Sequence, residues 1–235
     1  MNKNAITFTS DSNYMNYTIN LLKSIEKNCK GIEVYYRGVN ITPEEEYELN
    51  KFDVNCCRDK KNLSTKRDLI KSKDNQLLVN NKPIISQILY SEAIAYTCHS
   101  RFKNISYLLK KGYDTILALD ADSYINKNID DLFENYKQYD LCSIPDGKDF
   151  FRNEGLLLIN NSKNIKRFFK EVERYLFKQG HFKEWDSDGY IMAKLQKIYK
   201  LNLGALDPLY KSRPDKDAYI WSGDGVIKHE TNIIR

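Results

Sequence analysis

Two aspartates one residue apart, Asp120 and Asp122, follow the apolar run at residues 115–119. Neighbouring carboxylates repel each other unless a cation neutralises them, and their oxygens suit Mg²⁺ or Mn²⁺, usually with phosphate oxygens completing the shell. Two chemistries fit the pair. One carboxylate could attack a phosphate and become phosphorylated, or a metal held by both could bind a nucleotide diphosphate and act as a Lewis acid on the departing group.

A third interpretation is a pair of solvated acids in a turn. The length of the preceding apolar run argues against it, and so does the immediate return to apolar structure at residues 123–125. The run itself predicts a strand buried on both faces of an α/β sheet. Ligands of open α/β sheets bind at the carboxyl ends of strands, which is where both aspartates fall.

The opening of the chain predicts the elements that position this strand. Residues 5–10 are typical of a strand, 14–27 of an amphipathic helix and 32–36 of a second strand. A further helix starts at Thr42-Pro43, with proline at its first position and acids in its first turn. This β-α-β-α order predicts an α/β fold with a largely parallel sheet.

Hydrophobic spacing also predicts the later elements. They are helices at 83–97, 102–109, 130–136, 162–178 and 186–199, and strands at 141–144 and 155–159. Residues 57–82 have little periodicity and are the best candidate for a loop or insertion. A chain of 235 residues can bury one sizeable core, so we predict a single domain over residues 1–235.

The composition indicates a globular protein that binds no nucleic acid, with 41% hydrophobic and 29% charged residues. The net charge of +5 is spread along the chain, which favours anionic ligands such as nucleotides but is too small to indicate DNA or RNA. The five cysteines form no Cys-x-x-Cys pair, so we expect reduced thiols and a cytoplasmic location. No segment has the roughly 18–20 apolar residues of a membrane span.

Four blocks, in order along nearly the whole chain, resemble the GT-A nucleotide-sugar glycosyltransferases, in particular the glycogenin-like and galactosyltransferase-like (family 8-like) group. Residues 9–14 resemble the nucleotide loop after the first strand, 107–122 the strand ending in Asp-x-Asp, 153–160 the Asn-Ser-Gly strand, and 185–188 the Asp-Gln-Asp helix start. The resemblance implies one Rossmann-like domain with a mostly parallel central sheet flanked by helices. Its nucleotide-binding half would be 1–125, and its acceptor-binding half with a metal-ligand tail would be 126–235.

The same resemblance implies a Mn²⁺ or Mg²⁺ site. Asp122 would be the main metal ligand, and Asp120 would share the metal or hold the ribose. The family's third ligand is a C-terminal His, for which His229 is the candidate. In the glycogenin-like group that His precedes a Gly-x-x-Lys, whereas here it follows Gly225 and Lys228.

Residues that bind the donor and act in transfer follow from the resemblance as well. Tyr14 would stack on the base, Asp11 would contact the base or ribose, and Arg101 would face the sugar and phosphate, with Lys103 as the competing choice. Asp186 or Asp188 would bind hydroxyl groups or act as a base, although acids are favoured at helix starts for capping alone. The full implied donor-binding set is Thr9, Ser10, Asp11, Tyr14, Arg101, Asp120, Ala121, Gly225 and Lys228.

The resulting hypothesis is a metal-dependent hexosyltransferase that moves a sugar from a nucleotide-diphosphate sugar, expected to be a UDP-sugar, to a hydroxyl of a glycan, protein or other acceptor. Two alternatives stay open. A phosphatase of the haloacid-dehalogenase type also has Asp-x-Asp after an apolar strand, but it needs a later Lys and an acidic pair on a distal strand. The other alternative is a non-catalytic module that binds a nucleotide sugar.

Overall fold

A computed structural model describes residues 3–65, 91–145, 155–180, 187–210 and 217–222 in full. It also describes the backbone of residues 68–69, 77–79, 82–84 and 89–90. The strands are β1 (Asn4–Asp11), β2 (Glu33–Val39), β3 (Asn55–Asp59), β4 (Asp68–Leu69), β5 (Leu77–Val79), β6 (Lys82–Ile84), β7 (Leu89–Tyr90), β8 (Thr115–Leu119), β9 (Ser123–Ile125), β10 (Leu141–Ser143), β11 (Leu156–Asn160), β12 (Leu203–Ala205) and β13 (Ile220–Ser222).

The α-helices begin at residues that suit helix starts. Ser162 accepts a hydrogen bond from the Ile165 N–H, and Thr42 forms a reciprocal capping box with Glu45. The helices are α1 (Met15–Asn28), α2 (Pro43–Leu49), α3 (Glu92–His99), α4 (Arg101–Lys111), α5 (Asp130–Asn135), α6 (Lys163–Glu173) and α7 (Ser187–Tyr199). Gly112, at a φ of 82° in the left-handed region, ends α4, and one π-helical turn (Arg174–Lys178) continues α6.

The central sheet has seven strands in the order β12-β10-β11-β8-β1-β2-β3. The pairs β1–β2, β1–β8, β2–β3 and β10–β12 are parallel, and β11 runs antiparallel to both of its neighbours. β2 and β3 extend the sheet on one side of β1, whereas β8 lies on the other side. The point where strand order reverses is therefore between β1 and β8, and a ligand crevice is expected at their carboxyl ends.

The sheet separates two apolar cores, because successive side chains of a strand point to opposite faces. Ile6, Phe8 and Leu117 belong to one core, which α1, α2 and α5 cover; we name this side the α1 face. Ala5 and Ile116 belong to the other core, which α4, α6 and α7 cover; we name this side the α6 face. The strands of the sheet centre are thus buried on both sides.

Most predicted elements are confirmed within one to three residues, but the helix predicted at 83–97 is wrong over its first half. Residues 82–84 and 89–90 are extended, and α3 begins only at Glu92. Ser91 accepts a hydrogen bond from the Ile94 N–H and so caps the helix at that point. The loop predicted at 57–82 also begins too early, since Cys57 and Asp59 pair with β2.

Across the described ranges, no helix combines the length and the apolar character needed to cross a membrane. The division of the chain into halves at residues 125 and 126 stays a prediction.

Candidate active site

The carboxylate pair lies in the turn from β8 to β9. The Asp120 N–H donates to the Gly155 carbonyl at 3.0 Å, and the Ser123 N–H donates to the Asp120 carbonyl at 3.1 Å, which closes the turn. The Asp120 side chain is 42% exposed, whereas Asp122 and Ala121 are buried. The switch point of the sheet therefore carries one accessible carboxylate and one enclosed carboxylate.

Arg101, the first residue of α4, connects this pair to a third carboxylate. Its Nη1 donates to Asp120 Oδ1 at 3.0 Å, and its Nη2 donates to Asp188 Oδ2 at 2.9 Å. Asp188 lies in the first turn of α7, so the bridge joins three separate elements of the fold. The Arg101 side chain is 9% exposed. Hydrogen bonds between charged groups are strong when solvent is largely excluded from them.

His99 is a member of this cluster that the sequence analysis missed. Its Nε2 lies 3.4 Å from Asp188 Oδ1, and both side chains are buried. Ser100 alone separates α3 from α4 and has helical dihedral angles, φ −63° and ψ −17°. Because the joint is this short, His99 and Arg101 contact the same carboxylate from two successive helices.

The environment of Asp188 favours one of its two predicted roles. Burial alone would raise its pKa, but the charges and hydrogen bonds of His99 and Arg101 outweigh burial and hold that pKa well below the usual Asp range. A carboxylate this acidic is a poor proton acceptor. Asp188 is therefore better suited to orienting hydroxyl groups than to serving as a general base.

The loop after β1 contributes two candidates, the half-buried Asp11 and the exposed Tyr14. Asp11 caps the turn that precedes α1, since its Oδ1 accepts a hydrogen bond from the Asn13 N–H at 3.0 Å. Tyr14 is 40% exposed and packs against Tyr17 with a ring-centroid distance of 5.6 Å. Both lie at the carboxyl end of β1, on the edge of the sheet that also carries the Asp120–Asp122 turn.

Thr9 and Ser10 use their side chains inside the protein. The Ser10 hydroxyl is buried and bonds to the hydroxyls of Thr18 and Tyr36 at 2.8 and 2.9 Å. Thr9 Oγ1 donates to the Thr97 carbonyl at 2.9 Å and so ties β1 to α3. The hydroxyls of Thr9 and Ser10 are therefore engaged within the protein.

Lys103, the competitor of Arg101, lies in a different polar cluster. Its Nζ donates to the Tyr96 hydroxyl at 2.5 Å and to Asp59 Oδ2 at 3.4 Å, and Arg37 Nη1 donates to Asp59 Oδ1 at 2.7 Å. Burial alone would raise the pKa of Asp59, but these cations and the Tyr96 hydroxyl outweigh it and lower that pKa. The cluster fastens the first turn of α4 to β2 and β3. Of Arg101 and Lys103, it is Arg101 that bonds to Asp120.

Cys98 also borders the carboxylates. Burial raises the pKa of its thiol to about 12, and the charges of Asp120, Asp188 and Asp122 act in the same direction, against Arg101. The thiol stays protonated at neutral pH and is not a nucleophile. The Cys98-His99 sequence carried no recognisable motif, and only the fold places it beside residues 120–122.

Asp186, Gly225, Lys228 and His229 lie outside the described residues, so their predicted roles stay predictions. Within the described ranges, no group of three or more His, Cys, Asp or Glu side chains could hold a metal ion. Asp120 and Asp122 supply hard oxygen donors of the type that Mn²⁺ and Mg²⁺ prefer. These two carboxylates fit a metal that would take its remaining ligands from other residues or from a bound diphosphate.

The site thus combines an Asp-x-Asp turn at the switch point of a mostly parallel sheet with an Arg101 bridge to Asp188. The family model of glycosyl transferase family 8 matches residues 5–187. The chain therefore belongs to glycosyl transferase family 8, and the predicted family and fold are confirmed. No curated protein matches the chain.

Solved structures of glycosyltransferases share the fold. The glycosyltransferase GlyE of Streptococcus pneumoniae TIGR4 matches with a TM-score of 0.60 and 18% identity, over 98% of this chain and 57% of GlyE. The galactosyltransferase LgtC, solved with donor and acceptor sugar analogs, matches with a TM-score of 0.59 and 16% identity, over 98% of this chain and 90% of LgtC. The bifunctional glycosyltransferase WbbM matches with a TM-score of 0.61 and 12% identity, over 95% of this chain and 46% of WbbM. The chain thus spans little more than half the length of GlyE.

Proposed function

We propose that this chain transfers a sugar from a nucleotide-diphosphate sugar, a UDP-sugar, to a hydroxyl of a glycan, protein or other acceptor, in a reaction that depends on Mn²⁺ or Mg²⁺. The observation that carries the proposal is the Arg101 bridge, which joins the Asp120–Asp122 turn to Asp188 at the switch point. The reduced cysteines fit a cytoplasmic location.

Asp120 and Asp122 would hold the metal, with His229 as the proposed third ligand. A metal bound there offsets the negative charge that develops on the departing diphosphate. Lys228 and the backbone at Gly225 would add contacts to the diphosphate, since glycine allows close approach of the backbone to phosphate oxygens. The nucleoside would lie against Asp11 and Tyr14.

The transferred sugar would lie between the metal-binding turn and Asp188. Arg101 holds Asp120 and Asp188 at fixed positions and adds positive charge near the departing group. Asp188, ionised because of His99 and Arg101, would accept hydrogen bonds from sugar hydroxyls and orient the ring for attack. Asp186 is the proposed partner of Asp188 in acceptor or donor binding.

Nucleotide release tests the proposal directly. The protein is incubated with a panel of nucleotide sugars and Mn²⁺, and released nucleotide is measured with and without a chelator. We expect UDP release that requires metal and falls by about 100-fold or more in Asp122→Ala. Asp131→Ala, which removes an exposed carboxylate on α5, is the matched control and should keep full release.

Two other outcomes would overturn the proposal. Phosphate release from small phosphoesters without nucleotide release would favour the phosphatase alternative, which family 8 membership now disfavours. Binding of UDP-sugar without release, with any acceptor in the panel, would favour a non-catalytic binding module.

A further inference from the structure

Charged residues that are spread evenly along the sequence are distributed unevenly between the two faces of the folded protein. On the α6 face, every exposed charged side chain of the three covering helices is basic. They are Lys110 and Lys111 on α4, Lys163, Lys166, Arg167 and Lys170 on α6, and Lys194 and Lys197 on α7. The acids of these helices are Asp188, which is buried in the active site, and Glu171 and Glu173, which are partly buried.

The α1 face has the opposite character. Its helices expose six acids and two lysines, which are Glu26, Glu44, Glu48, Asp130, Asp131, Glu134, Lys23 and Lys27. A net charge of +5 therefore describes neither side of the molecule. The helices of the α6 face thus present exposed charges that are all basic, and the helices of the α1 face present mainly acidic ones.

Helical spacing places the cations of the α6 face on one continuous surface. On α6, residues 163, 166, 167 and 170 follow the i, i+3, i+4, i+7 spacing of one helix side, and Phe168 and Phe169 on the other side are buried. α6 packs between α4 and α7. The outward sides of the three helices thus adjoin, and we name this surface the basic face.

Apolar side chains stand among these cations. On α7, Tyr190 is 71% exposed and Ile198 is 65% exposed, and they share a helix side with Lys194 and Lys197 at i, i+4, i+7, i+8 spacing. Tyr107 on α4 is 45% exposed. Mixed lysine, tyrosine and aliphatic exposure is the composition of helices that lie in a lipid headgroup layer.

Most of the basic face lies away from the active site, although Tyr190 is only two residues from Asp188 on α7. α4 starts at Arg101 and α7 starts beside Asp188, so Lys110 and Lys197 lie roughly 14 Å further along their helices at 1.5 Å per residue. α6 starts at the same remote end, because the antiparallel β11 finishes with Asn160 beside Thr115, the first residue of β8. A partner on the basic face would leave the Asp120–Asp122 turn uncovered.

We infer that the basic face binds the surface of a bilayer that contains anionic phospholipids. Seven of its eight cations are lysines, which act as point charges toward a diffuse negative surface, whereas bidentate recognition of single phosphates favours arginine. The exposed Tyr190 and Ile198 would enter the headgroup layer, and the acidic α1 face would point away from the membrane. This inference does not depend on the proposed function.

Vesicle co-sedimentation tests the inference with the full chain. Wild-type protein should pellet with vesicles of phosphatidylglycerol and phosphatidylcholine, and not with phosphatidylcholine alone, and added salt should weaken the binding. K163E/K166E/R167E/K170E should bind at least about 100-fold more weakly. The matched control K23E/K27E/K30E/K137E makes the same change in net charge elsewhere and should bind as the wild type does.

A second variant, Tyr190→Ser with Ile198→Ser, tests the contribution of the exposed apolar side chains. It should bind anionic vesicles about tenfold more weakly than the wild type at any salt concentration. Both charge-reversal variants should release nucleotide in solution at the wild-type rate, so failure of the proposed function is distinguishable from failure of this inference. Three results would overturn it: no binding of wild type to anionic vesicles, equal loss in both charge-reversal variants, or binding to homopolymeric RNA with none to vesicles.

Discussion

The two faces of the central sheet bury comparable apolar cores, but they differ in the polar side chains that accompany each core. His99, Arg101 and Asp188 all come from helices on the α6 side of the sheet or at its edge, together with the Asp59 cluster that fastens α4. The α1 face contributes Tyr14 at the start of α1, and otherwise its helices carry caps and acidic surface. The comparison shows that the buried polar clusters around Asp188 and Asp59 are concentrated on one side, whereas the helices of the other side mainly pack the apolar core.

The largest expected effect comes from removing the cation that joins the carboxylates. Arg101→Met should lower nucleotide release by about 100-fold or more, because Asp120 and Asp188 lose their common partner. It should also lower the free energy of unfolding by on the order of 3–5 kcal/mol, since Asp188 stays buried with one partner fewer. Steady-state kinetics and urea denaturation measure the two effects.

Arg101→Lys and His99→Gln sharpen this prediction. Lysine keeps the charge but cannot reach two carboxylates as a planar guanidinium does, so most of the loss should persist. His99→Gln leaves the Arg101 bridge in place, and its activity should fall less than that of Arg101→Met. Wild-type kinetics in Arg101→Lys would show that charge alone matters and that the bridge does not.

Acid should destabilise the protein through the α6 face more than through the α1 face. The folded-state pKa of Asp188 and of Asp59 is lowered, so their stabilisation is present above the unfolded-state Asp pKa near 4 and is lost as the pH falls below it. Asp59→Asn should lower the free energy of unfolding at pH 7 and flatten its fall between pH 5 and pH 3. Urea denaturation across that range measures the slope, and Asp131→Asn, exposed on α5, should leave the slope unchanged.

The smallest effect is expected on the α1 face. Thr42→Ala removes the capping hydrogen bond to the Glu45 N–H and should cost about 1 kcal/mol of unfolding free energy. Nucleotide release at a temperature where the variant is folded should stay at the wild-type level. A large loss of activity would contradict the assignment of this face to stability alone.

Much of this organisation could be predicted from the sequence. The unbroken apolar run at 115–119 indicated a doubly buried strand, and the polar ends of β1 and β8 meet because parallel strands share a carboxyl edge. The helix start at Thr42 was predictable from local capping chemistry, and the structure shows the full capping box there. Each of these signals depends only on neighbouring residues, and the local structure that it predicts is present in the folded protein.

The parts that could not be predicted depend on contacts between distant residues. Nothing near His99 in the sequence indicates that it will face Asp188, 89 positions later. The same is true of Lys103 and Asp59, whose side chains pair across 44 positions of the sequence. The helix predicted at 83–97 was wrong at its start for a related reason, since its apolar spacing fits a helix but residues 82–84 and 89–90 form short strands.

The one-residue joint at Ser100 has a mechanical consequence. Its hydroxyl donates to the Tyr96 carbonyl, and its N–H bonds to the carbonyls of Tyr96 and Thr97, so the joint is held by the last turn of α3. α3 therefore runs from its Ser91 cap to a joint that places His99 and Arg101 side by side. Because one short joint positions both side chains, they reach Asp188 as a unit, and a change in the direction of α3 would move both together.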